Sequence, residues 1–145
     1  MTSSRWATWL AGLWAGVLWG LGLIGAPAVF SSAVPEIAGR IAGRMFTQEA
    51  FLSLGLAVVL FLVLRRQARA AAEAGGGSVL STNMLLVLGT LFCTVAGHFA
   101  LQPMITAAKV GQGALSFAAL HGMSAGLYGL KAILVSVLAW RLAAR

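Results

Sequence analysis

The sequence has no Asp and only three Glu: Glu36, Glu49 and Glu73. Three carboxylates so widely separated can barely furnish one pair, which argues against chemistry built on paired carboxylates. The single Cys, Cys93, excludes an internal disulfide and a Cys-rich metal site. It lies within the apolar run LLVLGTLFCTVAG and reads as a packed thiol. Only nine per cent of the chain is charged, whereas a soluble domain is roughly a quarter charged, so a soluble globular reading is poor. The few charges are unbalanced, ten Lys and Arg giving a net charge of +7. Such an excess ordinarily points to nucleic acid. Here the basic residues sit between long apolar runs, which points to a membrane and away from a nucleic-acid partner.

What the chain has in quantity is apolar surface, 60% of its residues, and 18 Gly. Four apolar segments stand out, at about 6–30, 46–64, 84–105 and 117–140, with a linker at about 65–82. Each approaches the ~20 residues needed to cross a ~30 Å hydrocarbon core. A spanning segment must satisfy its own backbone hydrogen bonds, so each is expected to be a helix. The whole chain, 1–145, then forms one domain of the all-α membrane class. Short connections favour an antiparallel four-helix bundle. The first segment has a signal-peptide look, with Arg5 ahead of it and Ala26-Pro27-Ala28 near its end. Its apolar stretch exceeds the ~7–15 residues of a signal core, so a retained helix is expected.

Orientation follows from the basic flanks. Arg5, Arg65, Arg66, Arg69, Arg141 and Arg145 flank one side, and Arg40, Arg44 and Lys109 the other. Both termini are therefore expected in the cytoplasm. Trp6, Trp9 and Trp140 would then anchor at one interface. Gly12, Gly16 and Gly20 recur every four residues, as do Gly122 and Gly126, and Ala125 and Gly129. These small-residue ridges suit close helix contact, within the chain or in a homo-oligomer.

Polar residues inside a membrane are costly and attract functional suspicion. On the fourth segment His121, Ser124, Tyr128 and Lys131 fall within a roughly 80° arc of a helix. On the third, Thr90, Thr94, His98 and Gln102 step by four. On the second, Glu49 and Ser53 do the same. The charge-based topology gathers Glu49, His98, Gln102 and His121 toward the outer leaflet, with Arg40 and Arg44 just before the second segment. Lys131, ten residues or ~15 Å beyond His121, lies near mid-membrane and leans outward. Glu49 is the carboxylate available to it within a helix, with Glu36 in the preceding loop.

Three blocks, GLIGAPAVFSSAVPEIAGRIAGRMF (22–46), HFALQP (98–103) and FAALHGMSAGLYG (117–129), resemble the transmembrane protein 205-like proteins. The bacterial branch of that family is a domain of unknown function numbered 4149. The third block matches through Phe117, Leu120, His121 and Ser124. The family more often has Asn where this chain has Tyr128, and Lys131 also departs from it. The resemblance implies a small, multi-pass bacterial inner-membrane protein of four helices and supplies no reaction.

Two readings of the histidines stand. His98 and His121 on neighbouring helices suit haem or a metal ion such as copper, with Met104 and Met123 as soft ligands. Alternatively they make interhelical hydrogen bonds to Gln102, Ser124 or backbone carbonyls. Arg40 and Arg44 suit an anionic headgroup or substrate, or pairing with Glu36 and Glu49. No catalytic motif is present. The leading expectation is a non-enzymatic membrane protein that binds a ligand, a second copy or a larger membrane complex through its outer polar cluster. A haem or copper redox protein and a transporter subunit using Lys131 are the alternatives. A purified, colourless and metal-free protein would remove the redox alternative; a reducible Soret band lost in His98→Ala and His121→Ala would establish it.

Overall fold

The computed structural model describes residues 2–144, with side chains from Arg5 onward; Arg145, counted in the charge argument, lies outside the described residues. The described chain is helical, with no strand. Helix α1 runs continuously through Thr2–Gly20, a π turn at Leu21–Gly25, and Ala26–Ser32. Helix α2 is Pro35–Glu73. Helix α3 comprises Thr82–Thr94, a π turn at Val95–Ala100, and Leu101–Lys109. Helix α4 is Phe117–Ala143. All four are long and apolar enough to cross a membrane. The protein is thus a multi-pass membrane protein built as a helical bundle.

Helix α2 differs most from the sequence expectation. Its 39 residues span roughly 58 Å at ~1.5 Å per residue, far more than a ~30 Å hydrocarbon core. The segment 35–45, expected as a connection with at most a short helix opening at Pro35, is its first three turns. Pro35 occupies the opening position, where its missing N–H costs nothing and its fixed φ suits a helix. No further Pro interrupts the stretch to Glu73, and Ala, Ile, Arg and Met dominate around Gly39 and Gly43. The turns between helices are correspondingly brief. Gly75 and Gly77 carry φ of 81° and 83° after α2, and Gly111 and Gly113 carry 75° and 104° after α3, backbone that residues with a Cβ rarely adopt. Ser81 and Ser116 cap α3 and α4, accepting from the Met84 and Ala119 N–H groups at 3.4 and 3.2 Å.

Each helix packs on its neighbours in sequence, and α1 also packs on α4, which closes the ring. Two apolar clusters fill the interior. The larger includes Trp14, Leu18, Leu60, Val87, Val135 and Leu138. The smaller is Leu101, Ile105 and Leu120. The polar residues Glu49, Ser53, Asn83, Thr90, Thr94 and Lys131 of α2, α3 and α4 are also buried. Outside, the helices expose large apolar side chains almost throughout, among them Leu13, Leu23, Phe51 and Phe92. A water-facing protein avoids so continuous an apolar surface; against lipid tails it costs nothing. Trp6, Trp9 and Trp140 are also exposed.

The glycines do not pack where their spacing suggests. A methyl group added to Gly12, Gly16, Gly20, Gly122, Gly126 or Gly129 would meet nothing within 4 Å. Both ridges therefore face away from the bundle interior. The intrachain close approaches use other positions. At Gly97 an added Cβ would lie 3.2 Å from the Leu127 Cβ, and at Gly22 it would lie 3.1 Å from the Tyr128 ring. Gly97→Ala should therefore lower stability by roughly 1–3 kcal/mol through overpacking, whereas Gly16→Ala should cost nothing or stabilise. Thermal unfolding in detergent distinguishes the two; equal effects would contradict this packing.

Candidate functional site: a buried ion pair and an exposed arginine face

Three polar residues of α4 each engage a different neighbouring helix. Ser124 donates its hydroxyl to the Gly97 carbonyl of α3 at 3.1 Å. Tyr128, four residues on, donates to the Leu18 carbonyl of α1 at 2.7 Å. Lys131, three residues further, meets Glu49 of α2, its Nζ lying 2.7 Å from Oε1 and 2.9 Å from Oε2. One stripe on one helix thus connects to all three others. Both carbonyl acceptors belong to or closely precede a π turn. Such a turn shifts the backbone out of the i→i−4 register, as the Ala26 N–H bond to Leu21 O and the Leu101 N–H bond to Ala96 O show. Carbonyls near the shift become available to side chains from another helix.

The ion pair is nearly inaccessible, its partners only 4% and 3% exposed. Its surroundings are arranged to satisfy it. Ser53, one turn after Glu49, donates to Glu49 Oε1, and the Trp14 indole donates to the Ser53 hydroxyl at 2.9 Å. Lys131 Nζ also lies 5.1 Å from the centre of the Tyr128 ring, a favourable cation–π distance. Phe46 packs edge-on against the same ring, the two ring centres 5.1 Å apart. A charge alone at this depth would be severely penalised; two charges with further donors neutralise each other locally.

Glu49 is therefore committed to Lys131, and Arg44 does not share it. The reason is angular: a separation of five residues turns the helix by ~140°, whereas pairing needs three or four. Among the described residues, Arg40 and Arg44 form no ion pair, and Glu36 forms none either. Both Arg side chains are exposed. With Ile37, Ile41, Gly43, Thr47 and Gln48 they line a shallow, open groove along one face of α2.

Among the described residues, the remaining candidates make no hydrogen bond to the ion pair. His98 is half-buried in the π turn, edge-on to Phe99 at 5.1 Å. His121 is exposed and stacks on Phe117, with ring centres 5.6 Å apart. Phe117 in turn has Lys109 Nζ 5.7 Å from its centre. Among the described residues, no group of three or more His, Cys, Asp and Glu is placed to hold a metal ion. Gln102 is half-buried, and its backbone carbonyl accepts from the Thr106 hydroxyl at 3.0 Å. Thr90 and Thr94 turn inward but donate to their own helix, at Val87 O and Thr90 O. Met104 and Met123 are exposed.

Further polar contacts were not anticipated from the sequence, among them those of Trp14 and Arg141. Trp14 sits within an unbroken apolar run, and only its distance from either segment end distinguishes it from an interfacial anchor. Arg141, counted as a topology marker, donates through Nε to the buried Asn83 at 3.0 Å.

The family model described as Domain of unknown function (DUF4149) matches residues 9–114. The chain belongs to this family. The match takes in Trp14, Arg40, Arg44, Glu49, Ser53 and His98, and ends before α4, so His121, Ser124, Tyr128 and Lys131 lie outside it. Neither a curated protein nor a solved structure matches the chain. Family membership therefore brings no reaction with it.

Magnitudes rank the contacts of α4. Breaking a buried pair by removing one partner costs ~3–5 kcal/mol, whereas an interhelical hydrogen bond in a membrane contributes ~0.6–2 kcal/mol. Lys131→Met should accordingly destabilise several times more than Tyr128→Phe or Ser124→Ala. Unfolding of the detergent-solubilised variants measures this. A Tyr128→Phe loss as large as that of Lys131→Met would refute the ranking.

Proposed function

We propose that this is a non-enzymatic, antiparallel four-helix protein of the bacterial inner membrane, both termini cytoplasmic, that binds an anionic ligand or partner through Arg40 and Arg44. The observation that carries the reading is the division of labour among the charges. Glu49 and Lys131 are spent on each other in the interior. Arg40 and Arg44 share an exposed groove with no carboxylate bound to them among the described residues. Guanidinium groups present planar, forked donors suited to phosphate or carboxylate.

The orientation rests on the bias of Lys and Arg in the flanks. It puts the Arg40–Arg44 face at the outer leaflet and Arg65, Arg66 and Arg69 in the cytoplasm. A second copy or a larger membrane complex belongs to the same reading, since the glycine ridges of α1 and α4 face outward. The kinship with transmembrane protein 205-like proteins is likewise part of this proposal.

Two measurements test it. A reporter fused after Arg145 should be active only in the cytoplasm; activity across the membrane would overturn the orientation. A labelled short polyphosphate should bind the solubilised protein in a salt-dependent manner, with Arg65, Arg66 and Arg69 changed to Gln to suppress the opposite end. Adding Arg40→Gln and Arg44→Gln should weaken that binding at least several-fold. Undiminished binding would remove the anion site.

A further inference from the structure

We infer that the occupant of the Arg40–Arg44 groove is an anionic glycerophospholipid, its phosphate on the two guanidinium groups and its chains along Ile37 and Ile41. The inference rests on the proposed anion-binding role of this face and specifies the ligand. It begins with the two sides of α2. At 100° per residue, Ala38, Ala42, Glu49 and Ser53 fall within a roughly 60° arc, and all four are buried. Arg44 lies at least ~120° around the helix from each of them. The Arg face therefore points away from the bundle, not into it.

That outward face is mixed in a way a soluble anion does not need. Ile37 and Ile41 remain 43% and 47% exposed, one turn apart, beside the two Arg. Gly43 contributes no side chain to the groove, and Thr47 and Gln48 continue it. The Thr47 hydroxyl already donates to the Gly43 carbonyl at 2.8 Å, so the polar capacity left in the groove is chiefly that of Arg40, Arg44 and Gln48. An inorganic anion would use the guanidinium groups and leave the Ile side chains without a partner. A phospholipid uses both, because its phosphate is joined directly to apolar chains.

Position agrees with chemistry. Arg44 precedes Glu49 by five residues, ~7.5 Å along the axis, and α2 continues without a break into its apolar membrane-crossing stretch. The face thus lies where headgroups meet acyl chains, and Arg stems can lie along the apolar surface while their ends reach phosphate. The negative charge of the lipid meets two unpaired positive groups. A zwitterionic lipid offers the same phosphate with an opposing cation and gains less.

The test is native mass spectrometry of the full-length protein in detergent, titrated with phosphatidylglycerol or phosphatidylcholine of identical chains. Phosphatidylglycerol should be retained in clear preference. Arg40→Gln with Arg44→Gln should reduce its retention roughly 30-fold, taking about fivefold per basic group at the surface. Arg65→Gln with Arg66→Gln should leave most of the retention intact. Arg40→Lys with Arg44→Lys should give an intermediate loss, and it keeps the question answerable if the Gln variant fails to fold. Millimolar inorganic phosphate should not displace the lipid. Equal retention of the two lipids, or no loss in either Arg40–Arg44 variant, would overturn the lipid assignment. Polyphosphate binding that still depends on Arg40 and Arg44 would then show that the anion site stands and only its ligand was misassigned.

Discussion

The structure depends on one interaction, the ion pair between Glu49 and Lys131 at the junction of α2 and α4. The hydrophobic effect does not by itself select one arrangement of four apolar helices in lipid, because lipid tails are as apolar as the side chains they replace. A buried charge pair can, since any arrangement that parts the two charges exposes each to a low-dielectric interior. The pair is reinforced outward in order: Ser53 on Glu49, Trp14 on Ser53, and the Tyr128 ring beside Lys131. α1 is thereby tied to the same centre as α2 and α4. Buried pairs add little net stability over an apolar substitute, so their value here is in specifying which helix faces meet.

The π turns make the rest of this arrangement workable. Each sits in a helix that must offer a carbonyl to α4, and Ser124 and Tyr128 take what is offered. Close approach at the same places needs glycine: Gly97 admits Leu127, and Gly22 admits the Tyr128 ring. A backbone irregularity, a missing side chain and a donor from the opposite helix thus coincide at two points, one on α1 and one on α3.

Much of this was visible in the sequence, and the part that was not has physical causes. Helix number and class follow from apolar run length, because the bilayer sets that length. The polar stripe of α4 follows from periodicity, and Glu49 was already the one carboxylate on Lys131's side within an expected helix. Periodicity cannot tell which neighbour a residue meets, so the separate destinations of Ser124, Tyr128 and Lys131 required three dimensions. The glycine ridges misled because a spacing of four marks a smooth face without saying which side of the helix carries it. The opening turns of α2 read as a loop because Arg, Gly and Glu interrupt their hydropathy, although nothing there breaks a helix. Pairing of Arg44 with Glu49 failed on the angle that five residues subtend.

What results is a bundle whose interior charges are mutually consumed and whose basic face on α2 stays open. Family membership names no activity, so the functional reading stands on that contrast between satisfied and unsatisfied groups. Its foundation is the claim that Glu49 and Lys131 act as one unit. A double-mutant cycle measures this directly, with unfolding free energies for Glu49→Gln, Lys131→Met and the double variant. The two charges acting together predict large losses in both single variants and recovery of most of that loss in the double, a coupling of ~2 kcal/mol or more. Additive losses in the double variant would contradict it.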